Sequence, residues 1–202
     1  MEGLVRLSLS NLYNSLLNKE IDSFISYSNG HIASCDRSLF SYASETHLFP
    51  GSYNPLHEGH RGIYDQIRED YYKVKLYEIS IERYGKENLT LEEIKSRLGQ
   101  FNGYANILIT NAPRIVQKAG LFYNNNLIVH VGIDTYDRMI QDYGVIGVQG
   151  ISSSFVVYDR KIDGQIQSIK DRKMIPSNCS VGVCPKESLL GISSTNIRKG
   201  IK

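Results

Sequence analysis

Apolar positions recur along this chain with two periods, and the alternation between them predicts its elements. Leu4, Leu7, Leu9, Leu12, Leu16, Leu17, Ile21, Phe24 and Ile25 follow a mostly helical spacing. That spacing predicts one or two amphipathic helices over 4–27, with Ser10-Asn11 placed as a cap. Ser28-Asn29-Gly30-His31 is a turn signal, and Ser34 to Ser44 is polar and irregular, as a linker would be. Leu48-Phe49 reads as the end of a buried strand. Beyond it Ile63, Tyr64 and Ile67 sit among charges in a helix that begins near Gly59. Val74 to Ile81 alternates with period two and is rich in residues that suit a pleated surface, so it predicts a second strand. Thr90 with Glu93 three residues on, ahead of Ile94 and Leu98, is a capping box.

The same alternation continues. Ile107 to Thr110 predicts a third short strand, followed by a helix from about Arg114 to Ala119 with Gly120 as its stop. Leu127-Ile128-Val129-His130-Val131-Gly132 is an apolar run bounded by turns, the pattern of a central strand buried on both faces. A helical stretch passes through Met139 and Ile140, Phe155 to Tyr158 is a further strand, and Asp163-Gly164 marks a turn. Strands alternating with helices in this order predict an α/β fold: a Rossmann-like open parallel sheet with helices on both faces, plus a small N-terminal helical appendage. Residues 1–45 would be that appendage and its linker, and 46–202 the main domain.

Composition narrows the picture a little. The 202 residues are long enough for one buried core, and 41% hydrophobic with 22% charged residues is ordinary for a globular protein. A net charge of +2 implies no nucleic-acid partner. Cys35, Cys179 and Cys184 form no C-x-x-C pair, which fits a reducing compartment and no disulfide or zinc framework. No apolar stretch approaches the length of a membrane span and the N-terminus lacks a signal-peptide pattern, so a cytoplasmic protein without a membrane partner is expected. The apolar stripe near the N-terminus would pack on the domain or, in a homo-oligomer, on a second subunit.

The chemistry concentrates in Leu48-Phe49-Pro50-Gly51-Ser52-Tyr53-Asn54-Pro55-Leu56-His57-Glu58-Gly59-His60. A strand, a turn carrying Gly51, Asn54 and Pro55, and a helix start together make an anion site. Free N–H groups of the first helical turn and the positive end of the helix dipole favour a phosphate, and Gly51 lets backbone approach it. His57 and His60, three apart, project from one side of that helix start as donors toward phosphate oxygens. In an open parallel sheet ligands bind beyond the carboxyl ends of the strands, where strand order switches. Gly51 to His60, Gly132 and Asp134, and a last helix beginning at Ser194-Thr195 would all face that crevice. Asp134 is a ribose-hydroxyl acceptor or an N-cap, and Ser193, Ser194, Thr195 and Arg198 are phosphate ligands or a plain helix cap with an arginine. Thr110 and Asn111 are candidate nucleoside contacts.

Two segments carry a family resemblance. Gly51-Ser52-Tyr53-Asn54-Pro55 with His57, Gly59 and His60 resembles the H-x-G-H signature of the nucleotidyltransferase superfamily, and Ile192-Ser193-Ser194-Thr195-Asn196-Ile197-Arg198 resembles its I-S-S-T-x-I-R motif. Together, over residues 46 to 199, they look most like the nicotinamide or nicotinate mononucleotide adenylyltransferases. That resemblance implies attack of a mononucleotide 5′-phosphate on the α-phosphorus of ATP, with Mg²⁺ accompanying ATP. It further implies His57 and His60 on the ATP phosphates, the Gly51 to Tyr53 backbone under the acceptor phosphate, and Ser194, Thr195 and Arg198 on the departing pyrophosphate. It puts Lys86 near the acceptor's phosphate, whereas the residue by itself reads first as a solvated loop lysine. Asn54 stands where the family more often has aspartate, which keeps the turn chemistry and removes a charge. Lys202 follows closely on Arg198, so the last helix is expected to be short. Rivals are another transferase of the superfamily, acting on phosphopantetheine or making a CDP-alcohol, and a nucleotide-binding module without catalysis.

Overall fold

The computed structural model describes residues 8–35, 43–68, 70, 72–122, 126–162, 164–192 and 194–200. Its elements follow in order: α1 (Leu9–Leu17), β1 (Ser23–Ser26), β2 (Ile32–Ser34), β3 (Glu45–Pro50), α2 (Glu58–Asp65), β4 (Lys73–Ser80), α3 (Leu91–Leu98), β5 (Ile107–Thr110), α4 (Ile115–Leu121), β6 (Leu127–Gly132), α5 (Ile133–Gln149), β7 (Ser154–Tyr158), β8 (Arg160–Ile162), β9 (Gln165–Gln167), β10 (Cys179–Gly182) and α6 (Ser194–Arg198). Eight strands make one sheet in the order β10-β7-β6-β3-β4-β5-β1-β2, and β8 with β9 forms a separate hairpin. From β10 to β5 the neighbours are parallel. The expected open parallel sheet is therefore present, and its order reverses between β3 and β6.

Side-chain alternation along β3 explains how the sheet is covered. Leu48 and Phe49 point to opposite faces, as successive residues of a strand must. On one face Leu48, Leu76, Val129, Val131 and Phe155 pack with Ile115 of α4 and Ile133, Tyr136 and Met139 of α5. On the other, Phe49, Tyr77, Ile79, Ile107 and Ile109 pack with Tyr64 of α2, Ile94 and Leu98 of α3, and Leu12 and Leu16 of α1. Full burial of each such side chain is worth about 1.5–3 kcal/mol. Helices on both faces hold the strand ends in place.

Local signals held where they were specific. Thr90 caps α3 with the complete box: its Oγ1 accepts from the Glu93 N–H at 3.2 Å while Glu93 accepts from the Thr90 N–H at 2.9 Å. The N-terminal segment departs from expectation. Among its described residues only Leu9–Leu17 is helical, and its cap is Ser8, whose Oγ accepts from the Asn11 N–H. Leu4 and Leu7 lie outside the described residues. Phe24 and Ile25 are strand residues: β1 pairs antiparallel with β5, and β2 with β1 across the turn at Gly30. A short apolar cluster fits either period, and here the open edge of β5 decided between them. Gly120 also falls inside α4 instead of ending it. The turn at Asp163-Gly164 coincides with the β8–β9 hairpin, Gly164 having φ 82° and Asp163 lying outside the described residues.

Each face carries a buried polar cluster. On the α4 side, Lys118 bonds Glu78 Oε1 at 2.7 Å and the Thr110 hydroxyl donates to the same oxygen at 2.6 Å. On the other, neutral histidines form a chain: Glu45 to His47 (2.5 Å), His47 Nδ1 to His130 Nε2 (2.9 Å) and His130 Nδ1 to the Tyr158 hydroxyl (2.9 Å). Phe49 stacks on His130 with centroids 4.2 Å apart. Burial pushes His130 down to about 3 and lowers His47.

Lys118 and Glu78 are 7% and 1% exposed, so removing one partner strands the other in the core. Lys118→Met is expected to cost about 3–5 kcal/mol, measured by urea unfolding. The double variant Lys118→Met, Glu78→Gln should recover much of that loss, and equal stabilities for the single variant and the native protein would contradict the account.

Candidate active site

The turn from Gly51 to His57 lies at the carboxyl end of β3, beside the reversal of strand order, where an open α/β sheet leaves a crevice. Its conformation is set by a plug. Tyr53 has φ 43° and is 2% exposed; its ring turns back into the core, edge-on to His60, Tyr77 and Phe101, and its hydroxyl donates to the Phe49 carbonyl. A Cβ on residue 51 would meet that ring at 2.6 Å. Gly51 is thus required by Tyr53, and its N–H is engaged by the Glu78 carbonyl at 3.0 Å. Of the Gly51 to Tyr53 backbone expected under a phosphate, the Gly51 N–H is therefore already taken. The N–H groups left without an acceptor, among the described residues, are those of Ser52, Tyr53 and Asn54.

Four successive carbonyls of the same turn, those of Ser52 to Pro55, are held from outside. Arg97 Nε donates to Ser52 O at 2.9 Å, Gln100 Nε2 to Tyr53 O at 2.9 Å, Arg198 to Asn54 O, and Ser194 Oγ to Pro55 O at 2.8 Å. Residues 194 and 198 are therefore brought onto the 51–60 segment, as sequence reasoning required of two segments facing one crevice. Ser193 lies outside the described residues, and Thr195 stands in α6 between its neighbours.

His57 is the N-cap of α2 and His60 its third residue, with Gly59 buried between them. Their rings stack with centroids 3.6 Å apart. The His57 N–H donates to His60 Nδ1 at 3.4 Å, which puts the proton of neutral His60 on Nε2, a donor with no acceptor among the described residues. His57 Nδ1 is buried with no partner among the described residues. Burial pushes His57 down to about 4 and His60 down to about 3, with Arg160 adding to both and His57 to His60.

Arg160 is the residue that sequence reasoning missed. It begins β8, just beyond the carboxyl end of β7, and its guanidinium bonds Asp134 Oδ1 at 3.0 Å. A basic residue two positions past a buried parallel strand was a readable signal. Asp134 lies in the first turn of α5, and a Cβ on Gly132 would come within 2.8 Å of its Oδ1, so Gly132 makes room for the carboxylate. Asp134, His57, His60 and Arg160 thus meet in one place. Thr110 does not join them: it is fully buried and its hydroxyl is committed to Glu78. Asn111 is half-buried just past β5, and Lys86 is exposed in the turn bridged to Arg83, with no side-chain hydrogen bond to the site among the described residues.

No family model and no curated protein matches the sequence. Solved structures do resemble the fold. Plasmodium falciparum nicotinic acid mononucleotide adenylyltransferase superposes with a TM-score of 0.52 when complexed with APC and 0.55 when complexed with NaAD. Each match has 18% identity over 77% of this chain and 83% of that chain. At this identity the likeness shows the fold alone, an open α/β sheet with helices on both faces. Among the described residues no helix is long and apolar enough to cross a membrane.

Both site histidines resist protonation in the folded chain while unfolded histidine titrates near 6.5. Below that pH the unfolded state gains protons that the native state refuses, so stability is expected to fall as pH drops from 6.5 toward 4. Arg160→Gln should shrink that fall by easing protonation of both rings. Urea unfolding at a series of pH values checks it, and a flat profile over this window would contradict the burial of these rings.

Proposed function

We propose that the protein transfers the adenylyl group of ATP to the 5′-phosphate of nicotinate or nicotinamide mononucleotide, releasing pyrophosphate. The observation that carries this reading is the meeting of the two phosphate motifs: Ser194 and Arg198 bond the carbonyls of Pro55 and Asn54, beside the stacked pair His57 and His60. The fold, and the nicotinic acid mononucleotide adenylyltransferase that shares it, support it.

In the reaction an oxygen of the acceptor phosphate forms a bond to the α-phosphorus. The bond from that phosphorus to the α,β-bridging oxygen breaks, and its electron pair leaves on pyrophosphate. No covalent step falls to the protein, so its work is positioning and the neutralising of charge on phosphate oxygens. The N–H groups of Ser52, Tyr53 and Asn54 would seat the acceptor phosphate. Neutral His60 would donate from Nε2 to an ATP phosphate, His57 beside it. Arg198 and Arg160 supply permanent positive charge, and a guanidinium suits phosphate by its paired donors. Asp134, turned toward Arg160, would meet a ribose hydroxyl. Among the described residues no group of three or more His, Cys, Asp or Glu could hold a metal ion. Mg²⁺ would enter as part of the MgATP substrate, riding on the phosphates and needing few protein ligands. Lys86, Asn111 and Thr195 remain candidates for acceptor and pyrophosphate contacts.

Incubating the protein with MgATP and each mononucleotide, and measuring dinucleotide and pyrophosphate, tests the reading. Product from phosphopantetheine, or from CTP and an alcohol phosphate, would move it to another transferase of the superfamily. Nucleotide binding with no product from any acceptor would leave a binding module. Given turnover, His60→Ala is expected to lower kcat by about 10²–10³ with the fold retained, the usual loss for one transition-state donor. Near-native rates would remove His60 from the mechanism. Arg198→Lys should raise the KM for ATP far more than that for the mononucleotide, because lysine keeps the charge and loses the fork. Equal small effects on both substrates would make α6 a structural cap only.

A further inference from the structure

We infer that Arg97 and Gln100 are positioning residues that aim the backbone N–H groups of Tyr53 and Asn54 into the crevice. The inference rests on the reading of that crevice as a phosphate site. A trans peptide unit is planar, with its C=O and N–H pointing opposite ways. Arg97 Nε holds the Ser52 carbonyl at 2.9 Å, so the N–H of the same peptide unit, which belongs to Tyr53, points away from α3. Gln100 Nε2 holds the Tyr53 carbonyl at 2.9 Å, so the Asn54 N–H points away likewise. The apolar cluster that holds Ile94 and Leu98 of α3 takes in residues of β1, β3, β4 and β5 and none of β6 or β7, so away from α3 is toward the β6 side and the reversal of strand order. Among the described residues nothing accepts from either group.

Gln100 does more than hold one carbonyl. Its Oε1 accepts from the Leu56 N–H at 2.7 Å, so one side-chain amide spans the turn from Tyr53 to Leu56 and sets its width. Gln100 sits in the 3₁₀ turn Gly99–Phe101 that continues α3, three residues after Arg97 and on the same side. Arg97 is 5% exposed, and Glu93, 3.5 Å from it, keeps the guanidinium on this side. Glu93 in turn is tied to Thr90 by the capping box. The whole first turn of α3 is thereby coupled to the direction of two N–H groups that it does not touch. Neither residue reaches the crevice itself, so both act through the loop.

The test uses amide resonances of isotopically labelled protein together with kinetics. Adding nicotinic acid mononucleotide, or inorganic phosphate alone, is expected to shift the Tyr53 and Asn54 amides of the native protein. Gln100→Met is neutral and similar in length but makes neither bond. It should abolish that response and lower kcat for dinucleotide formation by about 100-fold, the scale of an ångström misplacement, with a larger change in KM for the mononucleotide than for ATP. Should Gln100→Met not fold, Arg97 decides: Arg97→Lys can still donate to Ser52 and should retain the amide response, whereas Arg97→Gln, too short to reach, should lose it. Unresponsive amides in the native protein would overturn the inference, as would native behaviour of Gln100→Met or equal behaviour of the two Arg97 variants. If no acceptor gives dinucleotide, yet phosphate still moves both amides in the native protein and not in Gln100→Met, the reaction assignment fails and the clamp stands.

Discussion

Everything at this site depends on how one turn, with no ladder of its own, is kept in a single shape. Between Pro50 and His57 the backbone carbonyls of Ser52, Tyr53, Asn54 and Pro55 each take a hydrogen bond from a side chain elsewhere in the chain. Two donors come from α3 and its 3₁₀ extension, two from α6. Beneath the turn the Tyr53 ring is driven into the aromatic core with Tyr77 and Phe101, and Gly51 exists to admit it. A loop held this way carries its N–H groups as a rigid array, which is what positioning of a phosphate requires.

The electrostatics of the crevice follow from the same burial. His57 and His60 are stacked, partly enclosed and close to Arg160, so burial and that charge keep both rings neutral through the physiological range. Arg160 brings a guanidinium to the two rings as Arg198 does to the turn, and Asp134 meets Arg160 at 3.0 Å. A phosphate arriving there would be drawn to Arg160 and would favour protonation of the ring beside it, reversing the effect that Arg160 has in its absence. Behind the site, the chain from Glu45 through His47 and His130 to Tyr158 satisfies polar groups along β3, β6 and β7, its one carboxylate, Glu45, meeting Lys73 at 2.9 Å.

Much of this was legible in the sequence because it is local. The apolar run Leu127 to Gly132, the period-two alternation from Val74 to Ile81 and the Thr90–Glu93 box each report how a few neighbouring residues meet water or one another. The dense turn signals of the 51–60 segment, with two histidines three apart, likewise showed a strand, a turn and a helix start in the order found. Segments that could satisfy either period were a different matter. Phe24 and Ile25 gave no local reason to be strand, since the reason is the unpaired edge of β5. Gly120 stays helical because α4 packs on the sheet.

The sequence by itself determined the elements from β3 to β7, their alternating α/β order, and that a histidine-bearing turn follows a buried strand. Only the tertiary structure decided what that turn touches. Arg97 and Gln100 are ordinary helix residues until the fold sets them against the carbonyls of Ser52 and Tyr53. Arg160 is a charge beyond a strand until β7 lies beside β6 and brings it to Asp134. Hydrophobic period and turn chemistry act over a few residues, whereas a side chain reaching a carbonyl forty or a hundred positions away depends on strand order, which no local pattern encodes.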